Sequence, residues 1–372
     1  MANKNKIQTY SHPEINEKMK RNHWLDFLKL TFIIIIAFCH TTWWTNMKYG
    51  FLPVEFFFIV SGYFVYASYL KNKSFGKFVT DKIKRLFPTY LVILSVCAIY
   101  SLIFPKFYPN SSYEHWWLSL AREALLLQSV GLDELFNVIK INLMRTTPTA
   151  WYVSVYFYGA IMLYGVLTYV PKRFVNYTFS AIVIGVYGFY FLAWNGTMEI
   201  WTYKSIFYMP LWRGLADMSV GILLGMVLKK EYVNKWSNTH KVCFNTLGVI
   251  AISGAFFSFF SPIDIEWLGI ICFVYILANA VSSNGIGSYF NKTKYAKYIP
   301  DISLEILLLH IIFIRISVKV ADCLGVVQID VLRYIIYATM VLTVSYIFNK
   351  YIIPQIKSTF NAIVNQAIPT IR

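Results

Sequence analysis

The chain reads as an all-α integral membrane protein of about ten transmembrane helices, with both termini in the cytoplasm. Three observations predict this. Of its 372 residues, 57% are hydrophobic and only 14% are charged, too few to clothe a soluble α-protein with amphipathic helices. Apolar runs long enough to cross a bilayer recur from one end to the other. Most of the 34 Lys and Arg lie in the two terminal segments and between alternate pairs of runs, which places those segments inside.

The runs fall in order. The first, 25–44, contains the stretch Ile33-Ile34-Ile35-Ile36, and the second, 53–70, starts at Pro53 and stops before the basic segment Lys71, Lys73, Lys77, Lys82, Lys84 and Arg85. The third, 86–104, follows that segment directly. A long outer stretch then precedes 150–170. The remaining spans are 174–192, 205–228, 242–260, 265–282, 302–318 and 331–351, separated by short polar connections. No cleavable leader is expected, because the first twenty or so residues are polar and the first apolar run lacks a small-residue cleavage site. A single membrane domain, 1–372, is expected to fill the chain. The formal charge of +16 resides largely on the inner segments, so it suits anionic lipid headgroups of the bilayer; nucleic acid is not expected as a partner. Cys39, Cys97, Cys243, Cys272 and Cys323 have no paired spacing, which predicts neither a disulfide framework nor a metal site.

Outer segment 105–149 is too long for an unstructured loop in a compact domain, so short interfacial or re-entrant helices are expected within it. It holds Glu114, His115, Trp116, Trp117, Arg122 and Glu123. Two readings stand for its tryptophans: an aromatic belt at the membrane interface, or a lid whose ring faces bind an outer acceptor such as a sugar.

Chemistry is expected where ionisable side chains sit at membrane depth. Lys29 and His40 are eleven residues apart, almost three helical turns, so they share a helix face about 16 Å apart. Charged groups in lipid are costly and must face a protein interior or a wet cavity. Glu55 opens the second run at a depth similar to that of His40. A carboxylate beside an imidazole fixes its tautomer and makes it an effective general base. The other reading of His40 is a structural histidine hydrogen-bonded between helices.

Further strings carry a pattern in order: Leu25-Asp26-Phe27-Leu28-Lys29 leading to His40, Phe56-Phe57-Phe58-Ile59-Val60-Ser61-Gly62-Tyr63, Lys82-Ile83-Lys84-Arg85-Leu86-Phe87-Pro88, and Ser303-Leu304-Glu305-Ile306-Leu307-Leu308-Leu309-His310. Together they resemble the membrane acyltransferase-3 family over nearly the whole length. Its signatures are an Arg, ten residues and a His in the first span, FF-x-x-SG-(F/Y) in the second, R-x-x-R before the third, and a late S-x-x-I-Y-L-x-H-like segment. Lys29 and Lys82 stand where the family usually has Arg, while Arg85 matches. Trp151-Tyr152-Val153-Ser154 resembles a W-(S/Y)-x-S segment, although Tyr156 stands where many members carry Glu. Trp212-Arg213-Gly214 followed by Gly221 resembles the family's Arg-then-Gly span.

The resemblance implies transfer of an acyl group, most commonly acetyl, from cytoplasmic acetyl-CoA or another acyl-CoA to a hydroxyl of a surface glycan or lipid-linked saccharide, in a bacterial inner or cytoplasmic membrane. It implies Lys29, Lys82 and Arg85 as donor-binding cations, His40 as base supported by Glu55, and Arg213 as a charge that steadies the oxyanion or grips the donor. Trp116, Trp117 and Trp151 are the expected acceptor-binding residues. Ser61-Gly62 is read as close helix packing, and Glu305 and His310 as groups behind the reacting ones. The alternative is a transporter or flippase of a glycan or acyl-bearing substrate, which would also use intramembrane ions. A homo-oligomer is compatible with the sequence.

The topology is checked by thiol labelling of single cysteines in a cysteine-free background. Positions Ser111 and Asn195 should react with an impermeant reagent from outside, and Ser74 and Ser237 only after permeabilisation; the reverse pattern would invert the orientation.

Overall fold

A computed structural model describes residues 21–41, 47–105, 115–130, 146–188, 203–204, 207–228, 236–326 and 328–367. Both chain ends, and Glu114 with most of segment 105–149, lie outside the described residues.

Helix α1 (His23–Cys39) starts where the Asn22 side chain accepts a hydrogen bond from the Leu25 amide at 3.1 Å, with Asp26 in its first turn. Helix α2 (Pro53–Tyr69) has Pro53 at its first position, where the missing N–H costs nothing. Helix α3 (Phe75–Ile103) is capped by Ser74, and it corrects the expectation that the third span opens at 86 behind a basic loop. Pro88 is tolerated inside it, at the loss of one intrahelical hydrogen bond. Lys82 and Arg85 therefore stand on a rigid helix.

A short helix, α4 (Trp116–Ala124), forms within segment 105–149. Helices α5 (Ala150–Tyr169) and α6 (Lys172–Val183) follow. Strands β1 (Tyr203–Lys204) and β2 (Phe207–Tyr208) make a two-residue antiparallel ladder pairing Tyr203 with Tyr208, which leads into α7 (Met209–Val227). The last third contains α8 (Asn238–Phe260), α9 (Glu266–Val281), the one-turn α10 (Ile286–Phe290), α11 (Ser303–Cys323), α12 (Asp330–Ile347) and the amphipathic α13 (Ile353–Ala367).

A helix lies over each of the ten expected runs. Among the described residues, four helices are long and apolar enough to cross a membrane: Phe75–Ile103, Ala150–Tyr169, Asn238–Phe260 and the composite Asp330–Ala367. Outward-facing Ile99, Leu102, Ile103, Val249, Ile250, Phe257, Ile271 and Ile335 clothe the bundle in apolar side chains, a surface suited to lipid and hazardous in water. The chain is a multi-pass, all-α membrane protein.

Helix α2 is central, packing against α1, α5, α7 and α9. Its contact with α7 is backbone-close. A Cβ on Gly62 would overlap the carbonyl of Met218, and one on Gly221 would overlap the carbonyl of Ile59. Beside this crossing, Phe32 sits edge-on to Phe56, Phe259 and Phe273, tying α1 and α2 to α8 and α9. Gly62→Ala or Gly221→Ala should each force the two backbones apart at a cost of roughly 1–3 kcal/mol, read as a lowered melting temperature in detergent. Gly185→Ala, which meets nothing within 4 Å, should leave it unchanged.

Candidate active site

Six stretches of chain supply the staves of a cavity of about 280 Å³. Each stave shows helical spacing: Lys29, Ile33 and Ile36 on α1; Val54, Phe57 and Ser61 on α2; Lys82, Arg85, Leu86 and Thr89 on α3; Tyr152, Val153 and Tyr156 on α5; Ser303, Leu304 and Leu307 on α11; Asn349, Ile353 and Lys357 along the turn into α13. Sequence reading predicted Lys29, Lys82 and Arg85 as one binding group, and the fold brings all three into this cavity. It did not find Tyr152, Asp301, Asn349 or Lys357. The spacing of Asn349, Ile353 and Lys357 by four residues each was the signal available for the last stave.

The walls are cationic, with local acid partners. Lys29 Nζ lies 2.8 Å from Asp26 Oδ1 and 3.0 Å from Asp301 Oδ1. Burial pulls the Asp301 carboxyl upward, but the Lys29 ammonium, helped by Arg85 and Arg21, outweighs it and leaves the group below the ordinary carboxylate value. Lys82 donates to the Tyr156 hydroxyl at 2.6 Å, with its ammonium 4.1 Å from the same ring's centroid. Two of the departures from the family pattern noted above, Lys82 and Tyr156, are thus in contact. Asn349 Nδ2 donates to Glu305 Oε1 at 2.9 Å and to the Asp301 carbonyl at 3.0 Å, tying the acidic side of the mouth together. Lys29, Lys82, Arg85 and Lys357 outnumber Asp301 and Glu305, so the cavity favours an anion.

Above the cavity lie two histidines. His40, at the C-cap of α1, is exposed, and its ring centroid is 5.2 Å from that of fully buried His310 on α11. Lys29 with Asp301 at one end and His40 with His310 at the other fix α1 and α11 in parallel register. Neither histidine lines the cavity. His40 stands one turn beyond Ile36, and His310 three residues beyond Leu307, about 6 and 4.5 Å along their helices.

The expected Glu55–His40 pair does not form among the described residues. Glu55 instead ion-pairs with Arg213, and both are 0% exposed. Asp217, also fully buried, hydrogen-bonds the Tyr187 hydroxyl beside them. A buried guanidinium attracts a carboxylate more strongly than a neutral imidazole does, which explains the exchange of partners. Phe51 and Trp151 flank the guanidinium, with centroids at 5.7 and 5.9 Å.

The tryptophans expected to bind an acceptor separate. Trp151 is buried beside Arg213, Trp116 is buried with Nε1 donating to Ser101 Oγ at 3.4 Å, and Trp117 is 77% exposed. Near the end of α4, buried Glu123 accepts from the Thr146 amide at 2.8 Å and from the Thr147 amide at 3.3 Å. Burial lifts its carboxyl above the ordinary value against the pull of Thr146 and Arg122. Tyr90 OH donates to the Glu123 carbonyl at 2.8 Å, so the end of α4 is anchored to α3.

These features define a helical membrane protein with a cation-lined cavity and, further along α1 and α11, a pair of histidines. A family model described as an acyltransferase domain matches residues 22–350; the chain belongs to the acyltransferase-3 family and is an acyltransferase. Comparison with curated proteins and with solved structures gives no match. Helix α13, which supplies Lys357, lies beyond the matched residues.

Arg213→Met should destabilise the protein by about 3–5 kcal/mol, because it leaves Glu55 and Asp217 buried without their cation. Glu55→Gln should cost less, since Asp217 still neutralises Arg213. Denaturation midpoints in a fixed detergent measure the difference, and equal midpoints would contradict this charge balance.

Proposed function

We propose that this acyltransferase moves an acyl group, most commonly acetyl, from acyl-CoA entering on the cytoplasmic side to a hydroxyl of a surface glycan or lipid-linked saccharide beyond a bacterial cytoplasmic membrane. The observation that carries this reading is the shared face of α1, on which Lys29, Ile33 and Ile36 line the cationic cavity and His40 follows one turn later. Lys29, Lys82 and Arg85 hold the phosphates of the donor, with Lys82 acting as a point charge rather than as a planar fork. The acyl-bearing arm rises past Ile36 and Leu307 toward the imidazoles. The acceptor approaches from the outer side, where the exposed face of Trp117 suits a sugar ring.

An acceptor hydroxyl is a poor nucleophile until its proton is removed during attack. In this reading His40 takes that proton as the hydroxyl oxygen bonds to the thioester carbonyl carbon, then returns it to the departing thiolate as the C–S bond breaks. Arg213 and Glu55 hold α2 against α7, with Trp151 beside the guanidinium and Tyr152 in the cavity wall, a supporting role in the reaction.

A kinetic split tests both halves. With labelled acyl-CoA and acceptor glycan, His40→Ala should lower turnover by about 10² to 10⁴ with donor affinity kept. Lys82→Ala with Arg85→Ala should raise the donor KM, leaving turnover at saturation much less affected. Near-normal turnover in well-folded His40→Ala protein would remove His40 as the base, and unchanged donor affinity in the double variant would move the donor elsewhere.

A further inference from the structure

We infer that His310 is the positioning partner of His40: its Nε2 accepts the N–H of the His40 ring and so decides which His40 nitrogen meets the acceptor hydroxyl. The inference rests on His40 being the base, as proposed above, and supplies the partner that Glu55 does not provide.

The tautomer of His310 follows from its surroundings. Nδ1 lies 3.1 Å from the Ile306 carbonyl oxygen. A carbonyl can only accept, so Nδ1 carries the proton and Nε2 keeps its lone pair. The ring is fully buried, and Nε2 has no hydrogen-bond partner among the described residues. A buried acceptor with no donor is a costly arrangement, expected where a group arriving or turning in completes the pair.

His40 is the group in place to do so. Its ring centroid lies 5.2 Å away, with the planes inclined by 32°. Two imidazoles joined by a linear N–H···N bond of about 2.9 Å have centroids roughly 5 Å apart, so the rings already stand at bonding separation. The His40 ring, exposed at a helix end, has room to turn its N–H toward Nε2. Glu55 is held by Arg213, and Tyr337 spends its hydroxyl on the Ala37 carbonyl at 3.0 Å.

The proton balance is simple. The acceptor hydroxyl gives its proton to the free His40 nitrogen as the new C–O bond forms. That proton leaves with the CoA thiolate when the C–S bond breaks. His310 keeps its Nδ1 proton and its hydrogen bond from His40 throughout, so no charge is placed on the buried ring.

The test uses the full-length protein in detergent with His310→Gln, His310→Asn and His310→Ala. Gln places an oxygen near the position of Nε2, whereas Asn places one near Nδ1 and leaves the Nε2 position empty. Two quantities are measured for each: turnover with donor KM, and the rate at which diethylpyrocarbonate modifies His40, followed by peptide mass. His310→Ala and His310→Asn should lower turnover roughly ten-fold or more, with donor KM within about two-fold, and should slow modification of His40 several-fold. His310→Gln should recover most of both. Should Ala fail to fold, the Gln and Asn pair decides alone. A Gln variant as impaired as Asn, or modification rates unmoved in folded Ala and Asn variants, would overturn the inference. If wild-type protein transferred no acyl group from any acyl-CoA, the proposed reaction would fall, while the modification rates would still decide whether His310 partners His40.

Discussion

Glu55 and Arg213 meet with no exposure to solvent, and about two turns further along the same helices Gly62 and Gly221 bring the two backbones together. A charged pair in so dry a place is stable only if its helices hold a fixed register, and the glycines permit the approach that holds it. With α2 locked to α7, α5 and α9 pack against its remaining faces, and α1 is seated through Phe32 on Phe56. The cavity depends on that seating, because Val54, Phe57 and Ser61 of α2 line one wall opposite the cations of α3.

A second register is set between α1 and α11. Lys29 and Asp301 meet at the cavity mouth, and His40 and His310 meet eleven and nine residues later. Two contacts at opposite ends prevent one helix from sliding past the other. The same arrangement separates functions by height: cations with local acids at the mouth, apolar Ile36 and Leu307 above them, imidazoles above those. In the proposed reaction, charge is thereby kept where a polyanionic donor would sit and withheld from the layer where a neutral base works best.

Helix α13 and the turn before it complete the cavity from the C-terminal side of the chain. Asn349 braces Glu305 and Asp301, while Ile353 and Lys357 complete the wall on the side left open by α11. Lys84, in the same basic stretch as Lys82 and Arg85, turns toward Asn365 of α13 rather than into the cavity. The basic stretch on α3 is thus divided by its own helical periodicity: Lys82 and Arg85 face inward, and Lys84 faces the C-terminal helix.

Composition and periodicity by themselves determined the helical membrane character, the approximate position of each helix and the common face of Lys29 and His40; the resemblance to the family lay in the ordered strings. These are properties of one segment at a time, and a helix imposes its spacing locally. Partnership was decided only by the tertiary structure. Glu55 lies fifteen residues from His40 in sequence yet pairs with Arg213 on α7, because buried charge seeks opposite charge before a neutral ring. His310 reaches His40, and Lys82 reaches Tyr156, across 270 and 74 residues of chain. Nor could the extension of α3 back to Phe75 be read from apolar runs, since its first turns are polar and helical only because Ser74 caps them and α13 packs along them. Sequence fixes what each helix can present; which helix stands opposite is settled by how glycines, ion pairs and aromatic rings from distant segments fit at one depth.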